Sequence, residues 1–413
     1  MTGARSTRFP FAMTALLLIW GLTRLALLLF VAKVYVFPGP DVTSDVSVIY
    51  HGWYEVLQDG RFPLHDVTWQ YPPAASLAIL SPALLPFLDY AHAFFVLAFV
   101  ADLVVFGLLL YAGSRSGKSV RGAWVWMIGV PLLGPTVYAR YDVMVTAVAV
   151  AALLAGSRHP RVMGFLTGFG AMVKVWPVLL LLGAVRKRAW AWAAGTATGV
   201  AAVFFATMPG AFAFLTFQRD RGTEVESLGS LVFHVARHHG WNGRVLLNYG
   251  SVEFVGPYVD VVSTAALVLT GLAFGWLILW RLCAKRFLSH TLADAAFVAV
   301  LMFTATSRVI SPQYLVWIVG IAAVCLCFRA SRMVLPVFLA LVACFVTVLE
   351  FPTWFGDVVG STDLGITLLV LRNGLLVAAA VLAGRELWRS TVSRPAPELP
   401  AQAARAKEAL ASS

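Results

Sequence analysis

The chain reads as an all-α polytopic membrane protein, a bundle of about twelve transmembrane helices, on three observations. Of its 413 residues, 60% are hydrophobic and only 12% are charged. Mean hydropathy is +0.82. Apolar runs of near-spanning length recur from Phe11 to Ala383. Lipid offers no hydrogen-bond partner to a free backbone, so such runs must be helices. No long soluble stretch interrupts them, and residues 1–383 therefore read as one integral domain. Residues 384–413, rich in Pro and Ala after Arg394, read as a disordered cytoplasmic tail with basic residues near anionic lipid.

Taken in order, the first run, Phe11 to Phe37, follows Arg5 and Arg8 as a secretory signal would. It is too long for an ordinary signal core and lacks a small-residue cleavage site, so it reads as a retained anchor. The four cysteines, Cys283, Cys325, Cys327 and Cys344, fall inside or at the ends of spans, where a disulfide framework has no role. A net charge of +11 in a soluble protein would point to nucleic acid; here the excess sits in short loops, as the positive-inside rule requires. That rule places both termini on the cytoplasmic face of the plasma membrane. With them go Arg115/Lys118/Arg121, Arg158/Arg161, Arg186 to Arg188, Lys285/Arg286 and Arg329/Arg332.

Alternation then puts on the outer face a first loop, 38–71, and a second large loop, 208–260. The Arg140 to Asp142, Lys174 to Pro177 and Arg308 to Pro312 turns lie there too, as do residues 351–362. The scheme needs the proline-studded segment 72–88 to dip into the membrane without crossing. The spans at 142–156, 161–174 and 176–186 are short enough to be helical hairpins.

The first loop gathers Asp41, Asp45, Glu55, Asp59 and Asp66 beside the membrane, which points to chemistry at the bilayer surface. Within it Val46, Ile49, Tyr50, Trp53, Tyr54 and Leu57 recur with helical spacing and leave Ser47, His51, Glu55 and Gln58 opposite. That pattern predicts an interfacial amphipathic helix, with Ser44-Asp45 as its N-cap and the Asp45 carboxylate at headgroup height. Asp45 is then either a cap or a catalytic base.

Basic groups near the membrane on the outer face either snorkel or function, since a charge at a helix centre costs roughly 2.5–3.5 kcal/mol. Arg140 with Asp142, Lys174, and Arg308 before Ser311-Pro312-Gln313-Tyr314 are three such turns. If they converge they form a cationic pocket on the face that carries Asp45, suited to a lipid-linked phosphate. Otherwise Arg140 pairs with Asp142 and Lys174 snorkels. Arg24, Asp102 and Arg372, deeper in spans, read as buried partners that pack the bundle.

In the second loop His234 and His238 stand at i,i+4 spacing, yet no third metal ligand is evident and an interfacial helix explains them better. Trp241 and Tyr249 beside polar groups suit a sugar or a headgroup. Gly164, Gly168 and Gly170 read as small residues that let helices approach closely. No P-loop, dinucleotide fingerprint or nucleophile elbow is present, which removes nucleotide-driven pumping and common hydrolase chemistry. A lipid or solute transporter would share the bundle, but the halves show no internal repeat and the ionisable groups lie at the outer ends of spans.

Five pieces occur in order. They are Ser44-Asp45 with GRFP and YPP in the first loop, RYD at 140–142, GFLTGFGAMVKVWP at 164–177, RGTEVES with LNYGSVEFVGP at 221–257, and ISPQYLVW at 310–317. Together they resemble glycosyltransferase family 87, of the C-type superfamily of integral membrane glycosyltransferases. The resemblance implies transfer of a hexose, with mannose the implied sugar, from a polyprenyl-phosphate donor to a lipid or glycan acceptor of the cell envelope. It implies Asp45 as general base, with Asp41 as the rival, and inversion from a β-linked donor to an α-linked product. It also implies donor or acceptor contacts from Tyr50, His51, Tyr71, Arg140, Asp142, Lys174, Glu226, Arg308, Gln313 and Tyr314, with no cofactor and no metal. A lipid-linked polysaccharide polymerase or ligase would share the basic pocket and differ in using a pyrophosphate-linked glycan.

Overall fold

The structure, a computed structural model, describes residues 8–393 apart from His65 and Asp220. Among them, six helices are long and apolar enough to cross a membrane: Thr14–Val31, Tyr90–Gly113, Lys187–Thr207, Val259–Cys283, Val334–Thr353 and Asp363–Thr391. The other apolar segments are shorter, including Asp142–Gly156, Pro160–Val173, Thr291–Thr306 and Tyr314–Leu326. Length alone therefore yields six crossings, against the twelve apolar segments read from the sequence. Most of the shorter helices end at the turns that carry the charged residues Arg140, Lys174 and Arg308.

Two of the short helices form the centre of the bundle. Every residue from Leu315 to Leu326 is buried, and nearly all of Thr291–Thr306 is buried. A helix that is apolar on all sides must be surrounded by others. Long outer helices do this and turn leucines such as Leu267, Leu272 and Leu282 outward. Close approach is set by small residues where expected. A Cβ on Gly164 would lie 2.3 Å from the Ala189 carbonyl oxygen, and one on Gly168 2.3 Å from that of Ala193. These contacts lock Pro160–Val173 against Lys187–Thr207.

Buried charges act as joints. Asp102 accepts from Arg24 Nε at 2.7 Å, Trp126 Nε1 at 2.5 Å and the Tyr138 hydroxyl at 2.5 Å, tying three segments at one point. Arg372 makes a bidentate pair with Glu350, at 2.6 and 3.0 Å.

The first loop folds as a π-helical turn, Asp45–Tyr50, that runs into an α-helix, His51–Gln58. Val46, Tyr50, Trp53 and Leu57 are buried, the face the apolar spacing predicts. The capping differs from expectation. Ser44 makes no side-chain cap; its hydroxyl donates to the Asp41 carbonyl, and Asp41 closes a turn onto Thr43 N at 2.9 Å. Segment 72–88 is a short, largely buried helix, Ala75–Leu80, extended by one 3₁₀ turn.

The all-α expectation needs one correction. The second large loop holds a small antiparallel sheet of three strands, β1 (Thr223–Glu224), β2 (Arg244–Asn248) and β3 (Ser251–Val255), in the order β1-β3-β2. Strands β2 and β3 join through Tyr249-Gly250, both at positive φ, the requirement of a tight two-residue hairpin. The tail boundary also moves: the last helix continues through Thr391, so residues 384–391 are helical, and 394–413 lie outside the described residues.

Candidate active site

One cavity of about 610 Å³ collects residues that are far apart in the chain. Its walls come from the first loop (Asp41, Asp45, Tyr71), the ends of short helices (Arg140, Lys174), the sheet (Arg221, Glu224, Glu226, Tyr249) and the turn before the central helix (Arg308, Gln313, Tyr314). The three basic turns do converge, on the same side of the bundle as Asp45. The lining also includes Leu267 and Thr270 of Val259–Cys283 and Phe303 of Thr291–Thr306. Polar walls and two apolar helices thus share one chamber, and Leu267 is 52% exposed.

Neither ion pair in the wall is the one that adjacency in sequence suggested. Arg140 turns to Asp45, with Nη2 2.6 Å from Oδ2, and its Nη1 donates to the carbonyls of Val42 and Ala139 at 3.0 and 2.7 Å. The Asp45 side chain keeps 33% exposure, so one charge-assisted bond orients it while it still faces the cavity. Asp142 lies behind the wall and binds Lys174 Nζ at 2.6 Å, while Trp317 Nε1 donates to the same oxygen at 2.7 Å. Around the Lys174 ammonium stand the rings of Tyr71, Tyr141, Tyr314 and Trp317, with centroids 5.0–5.5 Å away.

Asp41, the rival for the base, is already engaged. Burial would raise its carboxyl, yet Lys33 at 2.8 Å and the Thr43 hydroxyl hold it below the usual carboxylate range. On the opposite wall Glu224 accepts from Ile310 N at 2.5 Å and from the Ser311 hydroxyl, and its own N–H donates to the Arg308 carbonyl at 3.1 Å. Strand β1 thereby sets the position of the Arg308 turn. Burial pushes the Glu224 carboxyl up to about 8, against the pull of Arg221. Arg308 Nη1 donates to Ser263 at 3.2 Å, and Arg221 Nη2 donates to Ser251 at 2.7 Å.

Three residues named from sequence, Tyr50, His51 and Asp142, do not line this chamber. Tyr50 is buried beneath the loop, stacked on Trp53 with centroids 5.4 Å apart, because the helical period that exposes Asp45 turns Tyr50 into the core. His51 stacks on Tyr90 at 5.0 Å, away from the chamber. Asp142 acts on it only through Lys174. The histidine pair is spent elsewhere: His234 bridges the Ser361 hydroxyl and the Val225 carbonyl, and His238 bonds the Ser361 carbonyl. Glu224 and Arg221 are wall residues that sequence reasoning gave no role. The signal available was RGTEVES, two buried carboxylates and an arginine within one short segment.

A sequence profile described as Glycosyltransferase family 87 matches residues 69–312, more than half of the chain. The chain belongs to glycosyltransferase family 87. It is therefore a membrane glycosyltransferase of the C-type superfamily, and the Arg140, Lys174, Arg221, Glu224, Glu226 and Arg308 walls all fall within the matched region. Gln313 and Tyr314 lie just beyond its end, whereas Asp41 and Asp45 lie more than twenty residues before its start. No curated protein matches the chain. Among solved structures, the crystal structure of ArnT from Cupriavidus metallidurans bound to undecaprenyl phosphate is similar at 12% identity and a TM-score of 0.42. That match covers 91% of this chain and 78% of ArnT, and at that distance it assigns no residue.

Proposed function

We propose that this family 87 enzyme transfers a hexose, mannose in the first instance, from a polyprenyl-phosphate sugar to a lipid or glycan acceptor of the cell envelope. The observation that carries this reading is the shape and charge of the one chamber. A carboxylate held by an arginine shares the chamber with basic side chains, and two apolar helices contribute Leu267, Thr270 and Phe303 to its lining, the mix of surfaces that a sugar-phosphate head with a prenyl chain would require.

In this scheme the acceptor hydroxyl attacks the anomeric carbon and gives its proton to Asp45, while the bond from that carbon to the phosphate oxygen breaks. A single displacement inverts the centre, from β in the donor to α in the product. The phosphate departs with the electron pair and is held by Arg308, Arg221 and Lys174, so that developing charge meets cations already in place. Arg140 holds Asp45 aimed at the chamber. Gln313, Tyr314 and Tyr71 line the sugar, and Asp41 with the Tyr249 hairpin shapes the acceptor side. The chamber opens on the extracytoplasmic face, both termini are cytoplasmic, and the short central helices complete twelve crossings in pairs.

Membranes containing the protein, supplied with radiolabelled polyprenyl-phosphate mannose, polyprenyl-phosphate glucose, a polyprenyl-pyrophosphate glycan or a nucleotide sugar, test the donor class. Incorporation from a polyprenyl-phosphate hexose alone is expected. Incorporation from the pyrophosphate glycan instead would replace this reading with a polymerase or ligase.

A further inference from the structure

Behind the sheet wall three carboxylates share one buried cluster. Glu224, Glu226 and Glu350 are 3%, 4% and 0% exposed, and Arg372, also fully buried, faces them. Arg372 is committed: it holds Glu350 through two bonds of 2.6 and 3.0 Å, and its Nη2 also donates to the Glu226 backbone carbonyl at 2.7 Å. Glu224 has its own donors in Ile310 N and the Ser311 hydroxyl. Glu226 receives nothing comparable. Its Oε1 is enclosed without a hydrogen-bond partner, and the nearest cation, Arg372 Nη2, stands 3.9 Å away. Yet Glu226 lines the cavity.

A further negative charge on Glu226 would cost several kcal/mol, since Arg372 is committed to Glu350 and stands 3.9 Å from the Glu226 carboxylate. The cluster resolves this by keeping protons: Glu224, raised to about 8, holds one at neutral pH, and Glu226, whose anion is the most poorly stabilised, holds the other.

We propose that Glu226 sits in the chamber as an uncharged carboxylic acid and donates a hydrogen bond to a phosphate oxygen of the lipid-linked donor. The inference rests on the lipid-phosphate reading above. A carboxylate beside a phosphate would repel it, whereas a carboxylic acid adds a donor where the leaving oxygen gains charge. No proton transfer is required: the acceptor's proton goes to Asp45, the phosphate takes the electron pair, and Glu226 retains its hydrogen. The charged groups around it are Glu224 on β1, Glu350 at the end of its helix, Arg372 on the last helix, and Arg221 and Arg308 on the same wall of the chamber. Burial, then Glu224 and Glu350, push its pKa well above the ordinary carboxylate value, and Arg372 opposes them.

Two readouts on purified protein in nanodiscs test this. The wild-type-minus-Glu226→Gln infrared difference at neutral pH without ligand is expected to show a protonated-carboxyl stretch lost on substitution, over the band that Glu224, which also holds a proton there, contributes to both proteins. A difference spectrum that shows no such loss overturns the proposal whatever the donor is. Binding of undecaprenyl monophosphate is then followed from neutral to alkaline pH. Wild-type affinity is expected to fall by about tenfold per pH unit once the proton is lost. Glu226→Gln, which keeps a neutral donor, should bind within about tenfold of wild type and lose the alkaline fall. Glu226→Leu should bind about a hundredfold more weakly at every pH. Equal weakness of the Gln and Leu variants, with thermal unfolding like wild type, would overturn the neutral-acid assignment. Wild-type binding equal to that of Glu226→Leu would overturn the contact. A wild type that shows the band but binds no undecaprenyl phosphate would instead overturn the donor reading, and the phosphate contact with it.

Discussion

Replacing Lys174 by Met should destabilise the protein more than replacing its partner Asp142 by Asn, and the double replacement should recover most of the loss. Lys174 Nζ lies 2.6 Å from Asp142 Oδ1 with both side chains buried, at 9% and 1% exposure. Breaking a buried pair by removing one partner costs about 3–5 kcal/mol, because the other charge is stranded. The two partners are not equally stranded. Without Lys174, Asp142 keeps only the Trp317 indole N–H, and its Oδ2 has no partner. Without the Asp142 charge, the ammonium keeps four aromatic faces at 5.0–5.5 Å, each worth about 0.5–1 kcal/mol. Lys174→Met should therefore fall near 3–5 kcal/mol and Asp142→Asn about 2 kcal/mol below it. The double variant should come within about 2 kcal/mol of wild type, since removing both charges is often close to neutral. Thermal unfolding in detergent, with tryptophan fluorescence as the signal, ranks the four proteins. A double variant equal to the sum of the singles would refute the coupling, and a costlier Asp142→Asn would refute the role given to the aromatic rings. Transfer assays on the same four separate stability from substrate contact: if Lys174 also holds the donor phosphate, the double variant regains stability but not turnover.

Arg140→Met should lower transfer by about two to three orders of magnitude, as for loss of one preorganised charged contact, with Arg140→Lys recovering part of it; unchanged transfer in the Met variant would detach Asp45 from its orienting group. Gly39 sits at φ +99° with a Cβ position 1.9 Å from the Pro352 carbonyl oxygen, whereas Gly60 at φ +72° has open space around it. Gly39→Ala should therefore cost clearly more than the roughly 1–2 kcal/mol expected of Gly60→Ala, read as the difference in thermal midpoint; equal shifts would contradict the packing of the first loop on residues 349–353. The Glu224 carboxyl, raised to about 8, holds a proton in the folded state that the unfolded chain releases near its ordinary value. Its contribution to stability is full at acid pH and is lost as pH rises toward 8, so the thermal midpoint should fall across that window in wild type. Glu224→Gln should flatten that slope.

The parts of the fold that were legible in the sequence are those with a period. The apolar spacing of Val46, Tyr50, Trp53 and Leu57 gives the buried face of the first-loop helix, and the basic turns at Arg140, Lys174 and Arg308 mark the chamber because charges at span ends are costly. Pairing was not legible. Arg140 and Asp142 are neighbours in sequence, yet each finds its partner across the fold, Asp45 in one case and Lys174 in the other. The sheet escaped notice because β1 has two residues and the β2–β3 hairpin is set in a loop otherwise read as interfacial, although Asn248-Tyr249-Gly250 between alternating residues was a usable signal. The resemblance implied contacts from Tyr50 and His51, and the helical rotation after Asp45 turns both away from the chamber. The joint of Glu224 with the Arg308 turn spans more than eighty residues, and nothing local announces it.

Turnover of a polyprenyl-phosphate hexose by purified wild type and Asp45→Asn, with polyprenyl-phosphate binding measured on both, bears most directly on the role given to Asp45. Asp45→Asn is expected to lose at least about two orders of magnitude in turnover while binding the lipid phosphate as wild type does, and Asp41→Asn to lose less than about tenfold. Turnover by Asp45→Asn within a few-fold of wild type, or its loss only in Asp41→Asn, would contradict the assignment of Asp45 as the base.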